Sequence, residues 1–518
     1  MLALHLNGND LTLDDLMQVV HERRPVLLEP TARAAVDKAR AVVDDLVHGD
    51  RLAYAITTGV GKLSDVRISA DQARELQINL VRSHAVGVGE PLSEAESRAM
   101  MLLRANSLAK GLSGVRAVVI DTLCEMLNRG VHPVIPSQGS VGASGDLAPL
   151  AHQALVLIGE GEAVYQGKRM TGAEAMKSAG IASITLEAKE AISLINGTQA
   201  MLAVGTLGLM AAETLADTAD VIGSISLDTL QGTDVAFDER IHKARPHPGQ
   251  LLVAANLRRM MEGSQLRERH RDCKRVQDAY SLRCMPQVHG AIRDTLAHAR
   301  SVFEIEMNSA VDNPLVFAAA KKVGAPQPKM GETVTGDILS GGNFHGQPLA
   351  FALDFLAIAL TALAGISERR IERLVNPALS EGLPAFLAPT AGLNSGFMMP
   401  QVTAAALVSE NKVLAHPASA DSITTSGNKE DYVSMGMTAA LKLKRVLANT
   451  TSVLAIEALA AAQAVDILAP LKPSKRAQAA VKEIRAVSAM MDHDRSLAPD
   501  FTKVFEVIAA GKIAAALR

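Results

Sequence analysis

The chain has 518 residues, 48% of them apolar and 21% charged, with a formal net charge of -3 at pH 7. That length exceeds what one hydrophobic core usually serves and implies two or three sub-domains, while so balanced a charge excludes nucleic acid or an acidic membrane as the main partner and leaves small-molecule chemistry. Cys124, Cys273 and Cys284 are the only cysteines; they form no CxxC pair and fit a reducing, cytoplasmic setting.

The opening stretch MLALHLNGNDLTLDDL lacks the basic, apolar and small-residue order of a secretory signal. Periodicity then predicts helices over 33–46, 71–81, 92–110, 113–128 and 149–157, separated by loops rich in Gly, Pro and Ser. Alternating patterns are scarce, and only 137–141 and 163–169 read as short strands. Past Asn196 the segments lengthen and become rich in Ala and Leu, at 200–222, 278–307, 347–375, 397–415 and 433–465, which is the pattern of a helical bundle. Two of these approach the hydropathy of a membrane span. Glu213, Asp217 and Asp220 interrupt the first and Asp354 the second, so both are expected as buried bundle helices. The Gly/Pro/Lys-rich 320–332 reads as a solvated loop. The fold class is mainly α: an N-terminal domain over 1–195, a long-helix bundle over 196–465 and a C-terminal helical cap over 466–518.

Several chemical motifs fail on inspection. TTGVGKLS resembles a phosphate loop, but Ile56 stands where the first glycine is required and Leu63 follows the lysine in place of Ser or Thr. The basic run 257–275 is interleaved with Glu262, Glu268 and Asp272 and lacks aromatic residues for base stacking, so it reads as a solvated surface. The histidines are scattered singly, without the spacing of a metal site.

What persists is a set of short segments that combine glycine, amides and uncommon polar residues beside helix ends: AYAITTGVGKLSDVR, LVRSHAVGVGE, GSVGASGDLAPLAH, LINGTQAM, VQDAYSLRCMPQ, DNPLVF, SGGNFHGQP and SGNKEDYVSM. Taken singly, each has a structural explanation, such as a capping Asn, a turn or a buried Tyr. The small residues Ala143, Ser144 and Gly145 alone would mark a tight turn before a helix, a place where backbone must approach something closely.

Together and in this order, over roughly residues 11–497, these segments resemble the histidine/phenylalanine/tyrosine ammonia-lyase family. The resemblance implies an L-aspartase/fumarase-like helical bundle with a smaller N-terminal active-site domain. It also implies an electrophile made from the chain itself. The Gly145 nitrogen would attack the Ala143 carbonyl, and two waters would leave, one carrying the Ser144 oxygen, to give 4-methylidene-imidazol-5-one. No external cofactor and no metal are then needed. Asp146 and Pro149 suit the first turn of the helix that follows, whose N–H groups are expected to face the ring oxygen.

The family's other site residues carry over by position. Tyr54 would be the base that removes the β-proton, and Arg283 the fork that grips the substrate carboxylate. Asn196, Tyr280 and Gln277 would surround the electrophile and substrate, and Phe344 would line the pocket. Ser83 and His84, with Glu430, follow the pattern of members acting on histidine, since a carboxylate can hydrogen-bond an imidazole. The implied reaction is elimination of ammonia from L-histidine to give urocanate, the first step of histidine breakdown, by a homotetramer with shared active sites. Two alternatives stay open: a tyrosine or phenylalanine lyase or 2,3-aminomutase on the same scaffold, and a catalytically degenerate oligomeric paralogue. The chain departs from the family pattern at Ala55, Thr57, Lys429 and His289.

Overall fold

A computed structural model describes residues 1–47, 56, 58–59, 68, 72–272, 275–318 and 336–518. Tyr54, Ala55, Thr57 and the 320–332 stretch lie outside the described residues. Among those described are nineteen α-helices and four sheets of two or three short strands. They fall into two compact units, one of residues 1–207, 300–353 and 417–441, the other of 208–299, 354–416 and 442–518. Helices Gln199–Thr229, Met285–Glu306, Gln347–Val375 and Gly436–Ile467 each contribute residues to both.

The long segments fold as helices close to their expected bounds, and 347–375 is matched residue for residue. Three helices, Gln199–Thr229, Gln347–Val375 and Gly436–Ile467, are long and apolar enough to cross a membrane by length and composition; in the two runs weighed above, the most apolar windows are 67% and 61% buried in the protein. Two boundaries differ from expectation for local reasons. The helix expected from 113 starts at Ala117, because Gly114 takes a left-handed φ of 70° that a helix cannot continue through. The segment expected as one helix over 278–307 breaks at Cys284 into Tyr280–Arg283 and Met285–Glu306; Pro286, in the first turn of the second helix, has no N–H to carry a continuous ladder back to the Leu282 carbonyl. The strand expected at 163–169 is a hairpin, Glu162–Tyr165 with Lys168–Thr171, and a third strand, Val131–Pro133, joins it.

In the first unit, helix Glu94–Ala109 is opened by a capping box, with Ser93 Oγ accepting from the Glu96 N–H and Glu96 answering on the Ser93 N–H at 2.7 Å. It is buried almost throughout despite two arginines. Arg98 is accommodated by donating to the last-turn carbonyls of neighbouring helices, Val19 and Val20 of Leu13–His21 and Leu127 of Ala117–Arg129. A second buried charge, Lys189, pairs with Asp312 at 3.0 Å, both side chains being fully enclosed; Lys189 also donates to Ser193 Oγ, and Ser113 Oγ donates to Asp312. Replacing Lys189 by Met strands the Asp312 carboxylate in the interior. The expected loss is about 3–5 kcal/mol of unfolding free energy, read as a lower denaturant midpoint, with partial recovery when D312L is added.

The second unit carries its own core, with Ala364, Ile371, Ala404, Val453 and Ile456 in contact. Around it runs a buried polar network in which Arg370 grips Glu457 at 2.5 and 2.9 Å. His289, expected as an outlier in an apolar position, belongs to this network. Its Nδ1 donates to Asp220 at 2.8 Å, and burial holds the imidazole below its usual range.

Candidate active site

The Ala143–Ser144–Gly145 loop runs into helix Leu147–Leu157, and two glycines bend it. Gly142 and Gly145 have φ of 69° and 71°, in the left-handed region where a Cβ is disfavoured. At Gly145 the constraint is also spatial. A Cβ there would run into the carbonyl of Gly197, with which Gly145 forms a parallel bridge. The run of small residues therefore exists to let two backbone segments touch.

Three groups converge on the loop. The Asn196 side chain, at the C-terminal end of helix Glu190–Ile195, donates from Nδ2 to the Ser144 carbonyl at 2.7 Å. Its Oδ1 is buried and has no partner among the described residues. The Asp146 N–H donates to the Gly197 carbonyl at 2.7 Å. Glu430 accepts from the Ser144 hydroxyl at 2.6 Å with one carboxylate oxygen and from the Thr425 hydroxyl at 2.7 Å with the other.

This arrangement corrects one expectation. Asp146 stands at the N-cap of the following helix but does not cap it. Its carboxylate accepts instead from Ser140 Oγ at 2.7 Å and from the Met201 N–H, in the first turn of helix Gln199–Thr229, at 2.8 Å. Burial pushes this carboxyl up to about 6, against the lowering effect of those hydrogen bonds. The donor on the Ser144 carbonyl is accordingly the Asn196 amide rather than the first-turn N–H groups of the helix.

A cavity of about 360 Å³ opens onto Ala143 and Ser144, lined also by Asn313, Phe344, Glu430 and Tyr432. Asn313 fixes its rim, donating to Ser340 Oγ at 3.1 Å and accepting from the Gly341 N–H at 2.7 Å. His345 lies against the Tyr432 ring at 6.1 Å between centroids and donates from Nε2 to the Tyr432 carbonyl. Lys429 lines the cavity without pairing with Glu430, whose two oxygens are taken by hydroxyls. The cavity thus joins a loop carbonyl held by an amide, an anionic acceptor and an aromatic wall, which suits a small polar substrate with a ring.

Of the residues expected at the site, Ala143, Ser144, Gly145, Asn196, Phe344 and Glu430 come together in the first unit. Ser83 and His84 end helix Ala73–His84 in the same unit and do not line the cavity; His84 donates from Nδ1 to the Leu80 carbonyl at 2.8 Å. Gln277, Tyr280 and Arg283 belong to the second unit, where the Arg283 guanidinium lies 4.9 Å from the centre of the Tyr280 ring and Tyr280 is 72% exposed. Asn313 and Thr425 were not expected. The first sits in the DNPLVF segment singled out by its composition, while nothing in the sequence marks Thr425.

The chain matches the family model described as aromatic amino acid lyase over residues 11–486 and belongs to that family, a group of carbon–nitrogen lyases. It is 74% identical to histidine ammonia-lyase of Koribacter versatilis over 518 residues, the whole of both chains. Among solved structures it is similar to histidine ammonia-lyase from Trypanosoma cruzi, with 41% identity, a TM-score of 0.88 and coverage of 99% of this chain and 94% of that one. It is also similar to tyrosine aminomutase from Streptomyces globisporus, with 39% identity, a TM-score of 0.90 and coverage of 99% and 98%.

Proposed function

We propose that the protein eliminates ammonia from L-histidine to give urocanate, using an electrophile formed from Ala143, Ser144 and Gly145. The observation that carries this is the convergence of Asn196 and Glu430 on Ser144, at 2.7 and 2.6 Å, in a loop whose glycine is pressed against Gly197. The residues present fit the group. Ser144 supplies the oxygen that leaves, Gly145 an unhindered nitrogen, and the Asn196 amide faces the carbonyl that would become the ring oxygen. Once formed, 4-methylidene-imidazol-5-one supplies an electron-poor methylidene carbon, which makes the amine a better leaving group.

The chain's own groups do the rest. Asn196 draws electron density toward the Ser144 carbonyl oxygen through a preorganised hydrogen bond. Arg283 holds the substrate carboxylate with its fork, beside Tyr280 and Gln277, while Phe344 packs against the substrate ring. Glu430 accepts an imidazole N–H, and His84 and Ser83 contribute to ring choice from outside this cavity. Tyr54 removes the β-proton as a phenolate. A phenol titrates at about 10, so ammonia release is expected to rise with pH into the alkaline range, which a pH profile of kcat checks. The enzyme works in the cytoplasm as a homotetramer whose active sites draw residues from more than one subunit.

The test is ammonia release from L-histidine, L-tyrosine and L-phenylalanine in parallel. Release from histidine far faster than from the other two supports the reading; release only from an aromatic substrate overturns the substrate assignment. The likeness to a tyrosine aminomutase keeps one second reading, an amine shift without release, which would appear as a β-amino acid product.

A further inference from the structure

Arg104, on helix Glu94–Ala109, is fully buried, and no step above uses it. It forms no ion pair with any described carboxylate. Its partners are instead at the C-terminal end of helix Glu190–Ile195. Nη1 donates to the Ser193 carbonyl at 2.9 Å, and Nη2 donates to the Asn196 carbonyl at 3.0 Å and also to Gln199 Oε1. Carbonyls of a last helical turn lack intrahelical partners and carry the negative end of the helix dipole, so a planar guanidinium suits the task of spanning two of them. Burial lowers its pKa to about 10, which leaves it charged at neutral pH.

The other side of the same segment grips the electrophile loop. Asn196 binds the Ser144 carbonyl, and the Gly197 carbonyl binds the Asp146 N–H, so the peptide groups before and after Gly145 are both held. The layering is close. A Cβ on Gly197 would run into the Arg104 guanidinium, and a Cβ on Gly145 into Gly197. Guanidinium, Gly197 and Gly145 are therefore in contact one behind another, and only glycine at both positions permits it.

We propose that Arg104 is a positioning residue for cyclisation of Ala143-Ser144-Gly145: it fixes the Asn196–Gly197 segment, which in turn holds the bend that brings the Gly145 nitrogen to the Ala143 carbonyl carbon. The proposal rests on the reading that this loop cyclises. In that step a bond forms from Gly145 N to Ala143 C. One water leaves with the Ala143 oxygen and the hydrogens of the Gly145 and Ser144 nitrogens, and a second with the Ser144 hydroxyl and its Cα hydrogen.

The experiment is intact-mass measurement of soluble, full-length wild type, R104M, R104K and R98M, with thermal melting of each. R98M is the control, because Arg98 is equally buried and also bonded to helix-end carbonyls, but away from the loop. Wild type and R98M are expected to be lighter than their sequences by two waters. In R104M the lighter fraction falls at least ~10-fold, the size of losing one hydrogen bond to a charged group, with melting lowered about as much as in R98M. R104K, which keeps the charge but not the fork, lies between wild type and R104M. A soluble R104M that has lost both waters completely overturns the proposal. So does insolubility of both Arg104 variants beside a soluble R98M, which would assign Arg104 to folding alone. Full sequence mass in wild type itself overturns the cyclisation reading, and this proposal with it.

Discussion

Ser144→Ala protein is expected to release no ammonia from L-histidine above the buffer blank and never to be two waters lighter than its sequence. The substitution removes one oxygen, and that oxygen is the one that must leave, as the second water, to make the methylidene carbon. The fold has little reason to suffer. Ser144 donates to Glu430, and its carbonyl, which receives Asn196, is backbone and remains. The loss in rate should exceed the ~10²–10³-fold seen when a single preorganised donor is deleted, because here the reacting carbon is never made. Ammonia assay and intact mass on the same preparation check it. Ammonia release by a chain that keeps both waters would overturn the electrophile assignment.

Glu430→Ala should separate histidine from other substrates. A hydrogen bond to a charged group is worth roughly 1.5–3 kcal/mol, so kcat/KM for L-histidine is expected to fall about 10- to 100-fold. Activity on L-phenylalanine, which offers no N–H to a carboxylate, should fall far less. Because Glu430 also accepts from Ser144 before cyclisation, the intact mass must be measured alongside. A variant that has lost two waters and is slowed only on histidine places the effect on the substrate. Equal losses on both substrates would remove Glu430 from ring recognition.

Much of this molecule was legible in its sequence, and unevenly so. The long apolar helices declared themselves because their periodicity is sustained over many turns, as at Gln347–Val375. The loop declared itself through Ala143, Ser144 and Gly145 in an unusual company of motifs. The first-unit strands were mostly missed: Leu4–Leu6 and Val26–Leu28 are three residues each, too short for alternation to register. Asp146 was expected in the first turn of the helix that follows; it stands just before that turn, and tertiary packing gives its carboxylate the first turn of a different helix. Arg104 was invisible as a functional candidate, since an arginine in a helical pattern reads as solvent-facing until its neighbours are known.

The hydrogen bond between Ser144 and Glu430 joins residues 286 positions apart. For a chain emerging from the ribosome, Ser144 is thus made long before its partner exists, and Asn196, 52 residues on, also arrives well ahead of Glu430. A nascent chain shorter than about four-fifths of its final length holds an incomplete cradle. On the proposed chemistry, the missing two waters are then a permanent mark placed on each molecule late in its assembly, and a chain in a cell extract that carries it is one whose cradle had closed around Ser144.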